Sequence, residues 1–171
     1  MPVTEVIKDE KSFTLTMVAE FAAPPERVWQ VYADPRQMEK IWGPPEYPAT
    51  VVDHELSPGG KVTYFMTSPE GEKYHGFWTV DAVDEPRSFE FEDYFADADF
   101  EPAEGMPASR NRYEFRATDT GTEARYTSTY ATLEGLQTVL EMGVVEGATS
   151  AIGQIDELLA GRDATESAPA G

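Results

Sequence analysis

Apolar and polar residues alternate from Phe13 to Phe21, with Phe13, Leu15, Met17, Ala19 and Phe21 on one side, which is the period of a half-buried strand. Ala23-Pro24-Pro25-Glu26 ends that pattern. Val28, Trp29, Val31 and Tyr32 then recur at helical spacing behind a proline suited to a first turn, which predicts a helix over roughly 25–33. A second short helix follows, with Asp34 as its cap and Met38, Ile41 and Trp42 as its apolar side, before Gly43-Pro44-Pro45 stops it. From Ala49 to Tyr130 the period is mostly two. Strands are predicted over 50–56, 61–67, 73–83, 87–95, 110–117 and 122–131, joined by Ser57-Pro58-Gly59-Gly60, Pro69-Glu70-Gly71, Glu85-Pro86 and Asp119-Thr120-Gly121. The segment 96–109 is too long for a hairpin turn and reads either as a lid or as a passive loop. Leu133 to Ala160 carries Leu136, Val139, Leu140, Ala151, Ile155 and Leu158 at helical spacing and predicts one long helix lying on the sheet. Its interior glycines, Gly143, Gly147 and Gly153, each cost about 1 kcal/mol relative to alanine. Close packing on the sheet is the expected compensation, and room for a ligand is the alternative.

This order predicts an α+β domain: a curved antiparallel sheet of about seven strands wrapped around a long C-terminal helix, with two short helices after the first strand. The chain divides into an N-terminal extension, 1–12, a domain, 13–160, and a small, polar, disordered tail, 161–171. The turns set the phase of the strands, so alternation assigns an inner face. His54 and Leu56 fall on it, as do Val62, Tyr64 and Met66, and then Tyr74, Gly76, Trp78 and Val80. Phe89, Phe91, Asp93 and Phe95 follow, with Tyr113, Phe115, Tyr126, Ser128 and Tyr130 beyond them. Apolar walls with a few polar tips are what small-molecule pockets present, although the same aromatics can simply fill a core. His54 beside Tyr64 is a candidate acid/base pair, while His75, one residue out of phase, should face outward.

Composition narrows the partners. With 32 acidic against 13 basic residues the formal charge is -19, a field that repels nucleic-acid phosphates and anionic lipid surfaces. No nucleic-acid or membrane partner is expected, and no apolar run approaches the roughly 20 residues needed to cross a bilayer. The chain has no cysteine and no apolar signal-peptide run at its start, so a cytoplasmic location is expected. Phosphate-binding glycine loops, HExxH, GxSxG and EF-hand patterns do not occur, and two histidines without cysteine leave little for a transition-metal site. No cofactor and no metal are expected, and no motif assigns a catalytic residue.

Several joints of the chain carry a resemblance. They are Phe21-Ala22-Ala23-Pro24 with Val28-Trp29, Asp34-Pro35 followed by Ile41-Trp42-Gly43-Pro44-Pro45, Pro58-Gly59-Gly60, Pro69-Glu70-Gly71, Gly76, Pro86, and Met142-Gly143 through Glu146-Gly147. In this order they resemble the START-like (SRPBCC) helix-grip superfamily, in its branch related to the C-terminal domain of the activator of Hsp90 ATPase. The resemblance implies a deep cavity between sheet and long helix that binds a hydrophobic or aromatic small molecule, lipid-like or polyketide-like, and it makes a homodimer plausible. The family often has a second tryptophan where this chain has Ile41, and a tryptophan where it has Ala148, so extra volume is expected beside the C-terminal helix. The candidate ligand-binding residues are Trp42, His54, Tyr64, Met66 and Trp78, together with Phe91, Tyr113, Tyr126 and Met142. Val145 and Thr149 are further helix positions facing the cavity. The alternatives are an enzyme of the polyketide cyclase or aromatase kind, with His54 and a tyrosine or Asp93 moving protons, and a chaperone-interacting module.

Overall fold

In the computed structural model, which describes residues 2–161, the alternating segments pair into one antiparallel sheet. Its strands are β1 (Val3–Asp9), β2 (Thr14–Phe21), β3 (Ala49–His54), β4 (Lys61–Thr67), β5 (Lys73–Asp84), β6 (Ser88–Ala96), β7 (Ser109–Thr118) and β8 (Gly121–Tyr130). The spatial order is β1-β2-β8-β7-β6-β5-β4-β3. From β3 to β8 each strand pairs with its predecessor, as short turns dictate, and the chain then returns to β2. The helices α1 (Pro25–Ala33) and α2 (Pro35–Ile41) therefore carry the chain from β2 to the far edge of the sheet. Asp34 caps α2, its carboxylate accepting the Arg36 N–H at 2.9 Å. Irregularities in pairing at Val51/Asp53 and Val80/Ala82 bend the sheet around the helices.

Two elements differ from the expectation. Residues 3–9, read as an extension, form an eighth strand at the sheet edge with nearly every side chain exposed. With neither face buried, Val3, Val6 and Ile7 show no alternation for a sequence pattern to reveal. The predicted single C-terminal helix is two, α3 (Leu133–Glu141) and α4 (Val144–Leu159). Gly143, with φ 85°, stands in the left-handed region between them, a conformation glycine adopts without the Cβ penalty. The tail expected at 161–171 lies outside the described residues from 162 onward.

The main core joins α1, α2 and the C-terminal half of α4 to the inner face of the sheet. Val28, Trp29, Val31 and Tyr32 meet Trp78, Phe89, Phe91 and Phe115, with Ile155 and Leu158 closing the cluster from α4. A smaller core of Leu15, Tyr130, Leu136 and Val139 fastens α3 to the other end. Rings dominate the first cluster: Trp78 stacks on Phe91 with centroids 4.0 Å apart, and Trp29 meets Phe89 edge-on at 5.6 Å. The connection between β6 and β7 lies against the outer face, where Phe100 meets His75 at 5.2 Å and His75 meets Phe65 at 5.5 Å. His75 thus faces outward as expected, but beneath this connection.

Close packing does not explain the helix glycines. A Cβ on Gly147 or Gly153 would find no atom within 4 Å, whereas one on Gly76 would lie 2.5 Å from the Tyr64 hydroxyl. Gly76→Ala should accordingly cost about 1–3 kcal/mol through overpacking. Gly153→Ala should raise stability by about 0.5–1 kcal/mol through helix propensity. Urea denaturation of the two variants checks both, and a loss of stability in Gly153→Ala would contradict this packing.

Candidate functional site

The sheet is longer than the helices that cover it, and the aromatic core fills only one end of its inner face. At the other end lies a cavity of about 310 Å³ between sheet and α4. Its sheet wall consists of Leu15 and Met17 from β2, Tyr64 and Met66 from β4, Asp93 and Phe95 from β6, and the inward residues of β7 and β8. Val144, Gly147, Ala148, Ala151 and Ile152 form the helix wall, and Trp42 and Pro44 close one side. Gln154 Nε2 donates to the Gly43 carbonyl at 2.7 Å, which ties α4 to the turn that carries Trp42. No residue of 97–108 lines the cavity.

Of the nine predicted residues, five line this space: Trp42, Tyr64, Met66, Tyr113 and Tyr126. Trp78 and Phe91 have the expected inward phase but lie within the filled core at 0% exposure, behind the wall that Trp42 makes. His54 is not in the cavity. Its Nε2 lies 2.8 Å from the Tyr32 carbonyl and donates to it, so it serves as a tether between β3 and α1 rather than as a partner of Tyr64. His54 keeps its expected inner-face phase, since the bulge at Val51/Asp53 sets it opposite the buried Val62, but it lies at the end of the sheet that α1 covers rather than at the cavity. Met142 is 56% exposed, because the turn at Gly143 ends the helix in which its phase was read. The same break moves the lining of α4 from Val145 and Thr149 to Val144 and Ala148.

Polar groups in the wall are mostly paired with one another. Tyr32 donates to the Tyr126 hydroxyl at 3.0 Å, and Ser128 donates to Asn111 Oδ1 at 2.7 Å. Asn111 Nδ2 in turn donates to Ser109 Oγ at 3.0 Å. Asn111 and Ser109 share the phase of Tyr113 and were legible from it, but the aromatic signal drew the assignment elsewhere. Such pairing lets the wall remain polar without orphaned atoms. The indole N–H of Trp42 is the exception in this wall, buried without a hydrogen-bond partner although close enough to Tyr64 to favour its phenolate.

Asp93 is the one carboxylate among the described lining residues, and none of them is basic. Its Oδ1 accepts the Tyr64 hydroxyl at 2.9 Å. Burial raises its pKa from the usual 3.8 to about 7, against weaker opposing help from the Tyr64 hydroxyl and the Tyr94 N–H. Burial also raises Tyr64 and Tyr113 well above the ordinary phenol value and pushes Tyr130 up to about 12. Among the described residues no group of three or more His, Asp or Glu side chains is placed to hold a metal, and no helix is long and apolar enough to cross a membrane.

Residues 22–160 match the family model described as Activator of Hsp90 ATPase homolog 1-like protein. The chain is similar to the crystal structure of protein Ms6760 from Mycobacterium smegmatis, with 63% identity and a TM-score of 0.87 over 92% of this chain and 97% of that one. It is also similar to the solution structure of a protein from Arthrobacter aurescens, with 39% identity and a TM-score of 0.89 over 92% of each chain. A protein from Staphylococcus epidermidis follows at 26% identity and a TM-score of 0.80, over 92% of this chain and 94% of that one. Among curated proteins there is no significant match.

The position of Asp93 makes stability depend on pH. Its folded-state pKa lies above the unfolded value, so between 3.8 and about 7 the folded chain keeps a proton that the unfolded chain has released. This contribution therefore falls as pH rises through that window and is level above it. Asp93→Asn, neutral throughout, should gain about 1–3 kcal/mol on the native protein between pH 5 and pH 8, the lower figure allowing for water in the cavity. Denaturation of both proteins at the two pH values measures it, and a difference that does not change with pH would contradict a buried Asp93.

Proposed function

The chain belongs to the activator of Hsp90 ATPase homolog 1-like family, and from that membership we propose that it binds a small hydrophobic or aromatic molecule in the cavity between sheet and α4. The fold supports a ligand-binding domain in general. The observation that carries the finer reading is the unfilled volume itself. About 310 Å³ stands open between Tyr64, Tyr113, Tyr126 and the small side chains of α4, next to a core packed ring against ring. Small-molecule pockets begin near 300 Å³, with apolar walls and a few polar groups that orient the ligand. Gly147, Ala148 and Ala151 keep α4 from filling this space.

A chaperone-docking module has no need of such a hollow. A cyclase or aromatase reading built on His54 loses its base, since that imidazole is turned toward the Tyr32 carbonyl. Recognition of a molecule rather than its conversion is the function that these side chains support best.

Ala148→Trp places an indole into the cavity from α4. With N-phenyl-1-naphthylamine, an uncharged apolar fluorophore, the native protein should enhance fluorescence saturably. The variant should bind at least about tenfold more weakly, a loss of ~1.4 kcal/mol, with an unchanged or higher thermal midpoint. Equal affinity in the two proteins would remove the cavity as the binding site.

A further inference from the structure

The charge of the wall says what kind of molecule it suits. We propose that the cavity selects a protonated amine on a small apolar or aromatic body, the cationic nitrogen seated against the Asp93 carboxylate and between the rings of Trp42, Tyr64 and Tyr113. This rests on the ligand-binding reading above and adds to it the class of ligand.

First, Asp93 lacks a counter-charge. Its partner in the wall is the neutral Tyr64 hydroxyl, and no lysine, arginine or histidine is among the described residues lining the cavity. A half-buried carboxylate in an apolar wall without a cation is an incomplete site, and one bound cation with a hydrogen to donate completes it. Second, the surrounding rings favour a cation. Trp42 lies 5.8 Å from Tyr64 and 6.5 Å from Tyr113 between ring centroids, so three electron-rich rings border one region of the wall. Tyr32 with Tyr126, and Asn111 with Ser128 and Ser109, are already engaged with one another, and the Trp42 indole N–H is the donor left without a partner in this wall. Third, the formal charge of -19 concentrates cations near the protein and repels carboxylate ligands before they reach the cavity.

The groups around Asp93 are known from every side. Tyr64 of β4, Tyr113 of β7 and Tyr130 of β8 face it as titratable groups, all with raised pKa values and so neutral near pH 7. Trp78 of β5 and Ser109 of β7 sit opposite it in the sheet, and α4 contributes Val144, Gly147 and Ala148, none of which titrates. An amine must therefore displace only the proton of Asp93 itself. Below the pKa of about 7 that proton competes with the ligand, and above it the competition ends.

Calorimetric titration with 4-phenylbutylamine, 4-phenylbutanol and 4-phenylbutanoate tests this, because the three share one apolar body and differ in charge. At pH 8 the amine should bind at least about tenfold more tightly than the alcohol, and the butanoate weakest. Amine affinity should rise about tenfold from pH 6 to pH 8 while that of the alcohol stays level. Asp93→Asn, with Tyr64→Phe as a second variant that keeps the carboxylate, separates charge from packing: the first should abolish the preference for the amine and the second retain it. Equal binding of amine and alcohol, or a preference for the butanoate, overturns the inference and leaves the cavity as an apolar ligand site. Binding of none of the three overturns both readings.

Discussion

Trp78 lies flat on Phe91 at 4.0 Å across the β5–β6 pair, and most of this molecule is arranged around that stack. Phe89 and Trp29 extend it towards α1, Trp42 meets it edge-on at 4.9 Å, and Val62, Val80 and Ile155 surround it. The rings fill one end of the concave face completely. Rigid aromatic packing of this kind does not relax into a neighbouring void, because interiors pack as tightly as organic crystals. The other end of the same strands can therefore stay open. Trp42 stands at the boundary, with one side against Trp78 and another on the cavity.

Keeping the hollow requires that its walls tolerate it. Small residues on α4 keep the helix from filling the space, and Gln154 holds that helix to the turn after α2. The hydroxyls and amide of the far wall satisfy one another, so they need no ligand to offset their burial. Asp93 is different. Its carboxyl stands among neutral groups, and burial there favours its protonated form up to about pH 7. One side chain thus ties the stability of the empty protein to the ligand class proposed for the site.

How far the sequence foretold this follows from what alternation can and cannot record. Period-two patterning with fixed turns placed Tyr64, Trp78, Phe91, Tyr113 and Tyr126 on the inner face, and the structure places all five there. Phase does not report position along a strand, so Trp78 and Phe91 were taken for lining although the core encloses them, whereas Asp93, two residues beyond Phe91, opens onto the cavity. His54 likewise has the inner-face phase but sits at the end covered by α1, while Met142 was displaced by a left-handed glycine, an irregularity that rotates a pattern without leaving a mark in it. The absence of an indole at position 148 was informative in the opposite sense: a missing side chain beside the helix pointed to volume, and Ala148 does line the cavity.

The proposed function requires that this interior be occupied by a small molecule when the protein works. Native mass spectrometry of the purified protein after incubation with a cell extract, followed by removal of unbound material, tests that claim most directly. A discrete adduct at one molecule per chain, released on denaturation and retaining a basic nitrogen on an apolar frame, is the predicted result. A bare chain mass, together with no thermal shift from a panel of lipids, aromatic metabolites and amines, would contradict it.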